Sequence, residues 1–291
     1  MPWRRRRGLP PSLRRANLYL SRTPVGDYYD ANTWKFLLST RERAIHRELW
    51  APGVDSRGDA LHHAHALVLD QLRRTDRRAL DLGCGVGTAA LYLARRRPVD
   101  VVGVSNSRAQ VRLADRFAAR GGQLQGRVRF AVADFTELPD GLGGFDLAFA
   151  IESFVHADPA ASFFEQAAHA LRPGGALVVI DDVRATDRQD PALEDFKEGW
   201  HAASLLSVIE FEAHAARAGL TLVASRDLSS MQRLGRPRDR FIHAVLPLLR
   251  RASSRSYWAQ SLVGGDALQH CLRTGLIEYR LLRFERAPAV R

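Results

Sequence analysis

The chain has 291 residues, of which 46% are hydrophobic and 26% charged, a balance typical of a globular protein with one large domain or two small ones. Its two cysteines exclude a disulfide framework and predict a reduced, cytoplasmic protein, and no apolar run approaches the ~20 residues of an integral membrane segment. The net charge of +11 includes an arginine-rich start that no apolar core follows, so we expect that this start is not a secretory signal. Arginine is spread over the whole chain and largely replaces lysine, which indicates compositional bias more than a binding face. Because no nucleic-acid-binding motif is present either, we expect no nucleic-acid partner.

Residues 1–76 form the first predicted unit, a basic arm followed by a helical cap. Residues 24–76 have a helical pattern with a break at Pro52-Gly53. This cap and the later parts of the chain carry many aromatic residues. We interpret most of them as core or interface packing and a few as the wall of a substrate cavity.

A short apolar strand at residues 78–82 leads into a glycine turn. Gly83, Gly85 and Gly87 alternate in this turn, and a helical run over residues 88–96 follows it. Such a turn lets a ligand approach the backbone, and the helix directs its free N–H groups at the ligand. The spacing differs from that of dinucleotide-binding turns and the lysine of a phosphate-binding loop is missing. The carboxylate of Asp81 instead suits a ligand that carries an α-amino acid.

Residues 77–291 alternate between apolar strands and helical segments. This order predicts an α/β fold with a doubly wound, Rossmann-like sheet of seven strands, which we expect to be parallel because the runs are apolar on both faces. The predicted strands are residues 78–82, 99–104, 128–132, 145–150, 176–180, 220–224 and 276–285. Insertions near 184–207 and 228–268 are expected to form a lid at the carboxyl ends of the strands, where ligands bind in such folds.

A glutamate ends the fourth predicted strand, and a histidine follows four residues later. Glu152 and His156 would face the same cleft as the glycine turn. A carboxylate is costly to place at the end of a buried strand, which favours a chemical role such as proton transfer. Two structural interpretations stay open: Glu152 caps the strand end, and His156 is a core histidine with satisfied hydrogen bonds.

The segment Asp81-Leu82-Gly83-Cys84-Gly85-Val86-Gly87-Thr88 resembles motif I of the class I S-adenosylmethionine-dependent methyltransferases. The resemblance covers about residues 76–182 and implies that the cofactor is S-adenosyl-L-methionine. It implies contacts to the cofactor's amino acid, ribose and adenine from the cap, the glycine turn and the ends of the second and third strands. These residues are Tyr28, Asp81, Gly83, Gly85, Gly87, Ser105, Asn106, Gln110, Asp134 and Phe135. Asp134 has an alternative interpretation as a helix N-cap.

Further segments resemble one subgroup, the sterol, tocopherol, cyclopropane-fatty-acid and prenyl-diphosphate C-methyltransferases. They are residues 103–110, the pair Tyr28-Tyr29, Glu152 and the closing stretch 264–283. Within this subgroup, residues 33–37 and 45–53 look most like bacterial terpenoid C-methyltransferases. This resemblance implies C-methylation of an isoprenoid alkene, such as a prenyl diphosphate of secondary metabolism, through a carbocation that can also cyclise. Glu152 would stabilise the cation and take a proton, and His156 would either relay that proton or orient the glutamate. Substrate contacts would come from Tyr29, Trp34, Trp50, Phe154, Trp200 and Tyr257.

A diphosphate substrate would require Mg²⁺ or arginines. Arg22, Arg41 and Arg47 are available, but the chain has no Asp-rich metal motif. We expect no side chain to bind a metal directly and interpret His62, His63 and His65 as surface or packing residues, since they lack cysteine or carboxylate partners at ligand spacing.

Two other functions stay open. An O- or N-methyltransferase of natural-product biosynthesis needs only a base near a hydroxyl or amine, a role that suits His156. A cofactor-binding regulator or nucleic-acid adaptor would use the arginine arm. A helical N-terminal extension also leads us to expect a homo-oligomer.

Overall fold

The structure, a computed structural model, describes residues 25–27, 29–30, 33, 46–247, 250 and 256–289. The predicted contacts of Tyr28 and Trp34 lie outside these residues, as do Arg22 and Arg41. The helices longer than one turn are α1 (Arg57–Leu69), α2 (Thr88–Arg96), α3 (Arg108–Arg120), α4 (Ala160–Ala170), α5 (Pro191–Trp200), α6 (Val208–Arg217), α7 (Pro237–Ala244) and α8 (Tyr257–Arg273). The strands are β1 (Arg78–Leu82), β2 (Asp100–Ser105), β3 (Arg127–Val132), β4 (Phe145–Ile151), β5 (Leu171–Arg184), β6 (Leu220–Asp227) and β7 (Ile277–Arg286).

The strands form one seven-stranded sheet in the order β3-β2-β1-β4-β5-β7-β6. This confirms the predicted α/β, Rossmann-like class. The first five strands are parallel, but β7 is antiparallel to both β5 and β6, so the expectation of a fully parallel sheet is wrong. An apolar run looks the same in either direction, and the sequence of β7 therefore carries no sign of its orientation. The strand order reverses between β1 and β4, which opens a cleft at their carboxyl ends.

Strand β5 is much longer than predicted. The sequence places it at residues 176–180, whereas it runs from Leu171 to Arg184. The segment Pro173-Gly174-Gly175 does not interrupt the strand, and the pairing of β5 with β4 shifts register there. At its other end β5 continues through two buried acids, Asp181 and Asp182, which an apolar pattern would have excluded.

The glycine turn is fixed by its packing as well as by its conformation. Gly83 and Gly87 have φ values of +90° and +80°. A Cβ on Gly83 would lie 2.4 Å from the Cβ of Ser153, and one on Gly87 would lie 2.5 Å from the Phe130 ring. Any larger residue would push the turn away from the ends of β3 and β4.

The core fills both faces of the sheet. One face holds a group of fully buried phenylalanines with ring centroids 4.5–5.9 Å apart, a spacing typical of edge-to-face and tilted aromatic pairs. They are Phe154, Phe163, Phe164, Phe211 and Phe284. The other face packs against α1, α2 and α3. Together the two faces hold the strand ends rigidly around the cleft.

The late insertions fold into helices beside the cleft. Helix α5 lies in the first insertion, and α7 and the start of α8 lie in the second. Helices α5 and α8 approach so closely that a Cβ on Gly199 would lie 2.5 Å from the Cα of Gly264. Of the cap, the structure describes helical residues at 25–27, 29–30 and 33, and α1. Residues 46–56 are not helical, so the helical pattern expected across the cap is wrong there, and this segment contains the predicted break at Pro52-Gly53. Among the helices in the described ranges, none is long and apolar enough to cross a membrane.

Candidate active site

A first cavity opens at the carboxyl ends of β1, β2 and β4. Its empty space, counted out to its open mouth, is about 910 Å³. Its wall contains most of the residues that the sequence predicted at a cofactor: Asp81, Gly83, Gly85, Ser105, Asn106, Gln110, Asp134 and Phe135. Gly87 instead lies behind the wall, against Phe130. We call this space the cofactor cavity.

Asp81 gives the cofactor cavity an unmatched carboxylate. The residue is 2% exposed, and its Oδ2 has no hydrogen-bond partner within the described part of the chain. Burial raises the pKa of Asp81 to about 8, against a smaller opposing effect of a hydrogen bond with the backbone of Ala90. An ammonium group would donate a hydrogen bond to Oδ2 and would balance the negative charge of the ionised carboxylate. The site therefore fits the α-amino acid that the sequence predicts.

The ends of β2 and β3 supply the next polar groups. The hydroxyl of Ser105 donates to Oε1 of Gln110 over 2.8 Å, which fixes the glutamine against the cavity wall. Asp134 Oδ1 accepts from the backbone N–H and the hydroxyl of Thr136, at 2.8 and 2.7 Å. No helix begins at Asp134, so the helix N-cap interpretation is wrong: the carboxylate caps a short turn instead, and the residue lines the cavity. Phe135 stands edge-on to Phe163 with centroids 5.5 Å apart.

A buried ion cluster surrounds Glu152, which lines the cofactor cavity. The backbone N–H and Nε of Arg47 donate to Glu152 Oε1 at 2.9 and 3.0 Å, and Nη2 donates to Asp182 Oδ1 at 2.8 Å. The hydroxyl of Tyr279 also donates to Glu152 Oε1, at 2.9 Å, and the Arg47 guanidinium lies 4.2 Å from the centre of the Tyr279 ring. Arg47 thus ties the segment before α1 to the ends of β4, β5 and β7.

This cluster sets the charges of its carboxylates. Burial raises the pKa of Glu152, but the positive charge of Arg47 and its two hydrogen bonds outweigh burial, so the pKa lies below its ordinary value. Burial raises the pKa of Asp182 to about 6, against the opposing effect of Arg47. Burial and the neighbouring Asp182 raise the pKa of Asp181 well above its ordinary value. At neutral pH Glu152 is consequently an ionised partner of Arg47 and a weak proton acceptor.

His156 is held in one orientation beside the cavity. Its Nδ1 lies 3.1 Å from the carbonyl oxygen of His201, which can only accept, so Nδ1 carries the proton. Nε2 is then the unprotonated nitrogen, and it accepts from the hydroxyl of Tyr29 over 2.9 Å. Burial lowers the pKa of His156 to about 4. A neutral imidazole with a fixed lone pair is suited to accept a proton from a ligand in the cavity.

Three other histidines form a chain of hydrogen bonds. His46 Nε2 lies 2.7 Å from His65 Nε2, and His65 Nδ1 lies 3.1 Å from His62 Nδ1. Their rings also contact one another and the Tyr92 ring. This supports the packing interpretation of His62 and His65. Among the described residues, no group of three His, Cys, Asp or Glu is arranged to hold a metal ion.

A second cavity adjoins the first, with about 1380 Å³ of empty space out to its mouth. His46 and Trp200 belong to the walls of both cavities. Apolar side chains of α1 and α8 form one part of the second wall, and a loop that contains Gln232 and several arginines forms another. Because it joins the cofactor cavity at His46 and Trp200, we call it the acceptor cavity.

The predicted substrate contacts meet different outcomes. Tyr29 and Trp200 line the cofactor cavity. Trp50 instead stacks under the guanidinium of Arg233, 3.4 Å from the ring centre, and Tyr257 is 44% exposed. Phe154 is fully buried among other phenylalanines, so the expectation that it touches a substrate needs correction: its apolar ring is core.

Sequence reasoning missed several residues of the site. It named Arg47 only as a possible diphosphate partner and did not single out Asp182, Tyr279 or Gln232. The adjacent acids Asp181-Asp182 after a buried apolar run were a usable signal, because such charges need a buried partner. Tyr279 and Gln232 carry no local signal of this kind.

A family model described as "Methyltransferase domain" matches residues 79–175. The methyltransferase GfsG of Streptomyces halstedii is 35% identical over 232 residues, which cover 77% of this chain and 80% of that protein. The 27-O-demethylrifamycin SV methyltransferase of Amycolatopsis mediterranei is 32% identical over 197 residues, or 65% of this chain and 71% of that protein.

Solved structures of similar fold cover nearly the whole chain. The [4+2]-cyclase SpnF has a TM-score of 0.71 at 25% identity and matches 91% of this chain and 96% of its own. The geranyl diphosphate C-methyltransferase of Streptomyces coelicolor has a TM-score of 0.66 at 18% identity and matches 95% and 96%. At this identity the second likeness speaks for the fold alone.

Proposed function

This chain belongs to the class I S-adenosylmethionine-dependent methyltransferases, and we propose that it methylates a hydroxyl oxygen of a bulky, oxygenated natural product, with His156 as the general base. The observation that carries the proposal is the state of His156. Its ring is fixed by the His201 carbonyl, and Nε2 is unprotonated and directed at a hydroxyl, that of Tyr29. An acceptor hydroxyl that takes the place of the Tyr29 hydroxyl would give its proton directly to this nitrogen. An acceptor hydroxyl that is hydrogen-bonded to the Tyr29 hydroxyl would give its proton to the nitrogen through the tyrosine.

Residues of the cofactor cavity have matching roles in this proposal. S-adenosylmethionine supplies an electrophilic methyl group on its sulfonium. Asp81 would hold the amino group, Ser105, Asn106 and Gln110 the ribose, and Asp134 and Phe135 the adenine. The burial of Asp81 makes its ion pair with an ammonium strong, since little water competes there.

The names of relatives support the same acceptor chemistry. One of the two relatives above is named as a methyltransferase of 27-O-demethylrifamycin SV, that is, of an oxygen atom. The acceptor cavity also has room for a bulky substrate, with about 1380 Å³ out to its mouth.

C-methylation of an isoprenoid alkene is the second candidate. It is supported by Glu152, which lines the cofactor cavity as the resemblance implies, and by Trp200 at the junction of the two cavities. A carbocation would find a carboxylate and an aromatic face there. We favour O-methylation because Oε1 of Glu152 already accepts three hydrogen bonds and its charge is balanced by Arg47.

A mass-spectrometric assay tests the proposal. The protein is incubated with S-adenosylmethionine and either hydroxylated natural products, among them the 27-O-demethylrifamycin SV named for one relative, or geranyl and farnesyl diphosphates with Mg²⁺. The methylated carbon or oxygen is located by NMR. A methoxy product from a hydroxylated acceptor is expected. A new C–CH₃ product from a prenyl diphosphate, with no methoxy product, would overturn O-methylation in favour of the second candidate.

A further inference from the structure

Two residues of the acceptor cavity carry buried polar atoms without a partner. Both amide atoms of Gln232, Oε1 and Nε2, are buried and make no hydrogen bond within the described part of the chain. The same holds for Nη1 of Arg47, whose other nitrogens serve Glu152 and Asp182. Both residues line the acceptor cavity. Buried polar atoms are nearly always satisfied in folded proteins, so three unsatisfied atoms in one cavity wall indicate a missing ligand.

The backbone holds these two residues at the same end of the cavity. Tyr279 of β7 lies under the guanidinium of Arg47, and its carbonyl accepts from the backbone N–H of Leu228 at 2.7 Å. The turn that follows Leu228 leads directly to Gln232. The N–H of Trp50 also donates to the carbonyl of Met231 at 2.7 Å, which joins the segment of Arg47 to that of Gln232.

The charges around this end favour a neutral ligand group. The charge of Arg47 is already balanced by Glu152 and shared with Asp182. Arg57 and Arg236, on the same wall, both pair with Glu48, at 2.7 and 3.1 Å. The wall's other two arginines, Arg233 and Arg238, are exposed to solvent. An anion such as a diphosphate would compete with these carboxylates, whereas a carbonyl or hydroxyl oxygen needs only the unused N–H groups.

The rest of the wall is suited to a carbon skeleton. It includes Leu61 of α1, Leu268 and Leu272 of α8 and the ring of Trp258. The first of these leucines is 2% exposed and the second 4%, so their side chains are held firmly. The cavity therefore combines buried apolar side chains with the unpaired polar atoms of Gln232 and Arg47, and the charged side chains of Arg233, Arg236 and Arg238 in its wall are exposed to solvent.

We propose that Gln232 and Arg47 select an acceptor that carries a neutral carbonyl or hydroxyl oxygen remote from the methylated position. Arg47 Nη1 and Gln232 Nε2 donate to such oxygens, and Gln232 Oε1 accepts from a hydroxyl. The inference rests on the proposed function in taking this cavity as the acceptor site. A plain hydrocarbon chain would leave the three atoms buried and unpaired, so the pair discriminates against it.

The test measures binding without turnover. The protein saturated with S-adenosylhomocysteine is titrated calorimetrically with erythronolide B, a macrolactone with ketone and hydroxyl groups, and with farnesol. The variant is Gln232→Met, which keeps the length of the side chain and removes both polar atoms. The control is Gln123→Met, on an exposed residue far from the cavity.

We expect Gln232→Met to weaken erythronolide B binding about tenfold, to change farnesol binding less than twofold, and to leave the melting temperature equal or higher. A structural glutamine would instead lower the melting temperature and weaken both probes alike. That result would overturn the inference. So would a Gln232→Met variant that binds erythronolide B as tightly as the wild type does, or a wild type that binds farnesol more tightly than erythronolide B. Binding that depends on Gln232 without any O-methylation would overturn the proposed function alone.

Discussion

Arg47 and Glu152 are joined through both backbone and side chain: the N–H and the Nε of the arginine donate to one carboxylate oxygen, at 2.9 and 3.0 Å. The pair connects the segment before α1 to the end of β4, at the inner wall of the cofactor cavity. A contact of this kind orders the cap and holds the carboxylate in place, and it removes from Glu152 much of the basicity that a proton acceptor needs.

The variant Arg47→Met tests how much this ion pair contributes to the stability of the fold. It leaves Glu152 ionised and buried without a counter-charge and also removes a partner of Asp182. We expect the free energy of unfolding to fall by about 3–5 kcal/mol, the range for a broken buried ion pair. Urea denaturation measures it, and Arg112→Met, on an exposed arginine of α3, is the control. A loss below about 1 kcal/mol would mean that the cluster is loosely held.

The variant Glu152→Gln separates the two candidate reactions. If His156 is the base, we expect kcat/KM to fall less than about tenfold, because glutamine keeps an acceptor for the Arg47 N–H and Tyr279 while losing only the charge. The measurement is steady-state methylation together with S-adenosylhomocysteine affinity, which should not change. If the carboxylate instead stabilises a carbocation and takes its proton, turnover is abolished while the cofactor still binds.

The cofactor side of this site could be predicted from the sequence because its signals are local. The glycine turn, the strand ends and residues such as Asp81 and Gln110 lie within short segments whose chemistry can be read directly. The ion cluster could not, because Arg47, Glu152, Asp182 and Tyr279 come from distant segments that meet only when β7 inserts beside β5. The polar end of the acceptor cavity was missed for the same reason, since Gln232 in a loop looks like any solvated glutamine.

His156 should control the acid side of the pH profile. Its pKa is lowered to about 4, and only the neutral form can accept a proton. Activity should therefore stay constant as pH falls through 6.5, the ordinary value for histidine, and decline only towards about 4–5. The measurement is kcat/KM for the acceptor against pH, with S-adenosylmethionine saturating so that Asp81 is already ionised, at pH values where the protein stays folded. An acid limb centred near pH 6.5 would contradict the buried, neutral state of His156.

Removing the imidazole gives a separate test of His156. We expect His156→Asn to lower kcat by about 10²–10⁴, the usual contribution of a general base, with little change in cofactor affinity. His169→Asn, on an exposed histidine of α4, is the control. A kcat within threefold of wild type would show that another group takes the proton.

Phe154 and Phe241 form a matched pair for the core assignment. Phe154 is fully buried with its centroid 4.5 Å from that of Phe211, while Phe241 is 68% exposed. We expect Phe154→Ala to lower the free energy of unfolding by about 3–5 kcal/mol and Phe241→Ala by less than about 0.5 kcal/mol. Equal stability of the two variants in urea would contradict the correction that moves Phe154 from the substrate wall to the core.

Cofactor binding should release a proton from Asp81. The free carboxyl has a pKa raised to about 8, so it is mostly protonated at pH 6.5, and an incoming ammonium group favours its ionised form. We expect the calorimetric enthalpy of S-adenosylhomocysteine binding at pH 6.5 to vary with the ionisation enthalpy of the buffer, with a slope near one released proton. In Asp81→Asn the slope should vanish and the affinity should fall.

The same raised pKa makes the stability of the cofactor-free protein depend on pH. A pKa above the unfolded value of 3.8 means that the contribution of Asp81 is fully present below about pH 4 and is lost as pH rises through about 8. The free energy of unfolding of the wild type should thus decline relative to Asp81→Asn across that window. If the free energy of unfolding varies with pH in the same way for the two proteins, Asp81 is already ionised in the cofactor-free protein. The enthalpy of S-adenosylhomocysteine binding should then not depend on the buffer either.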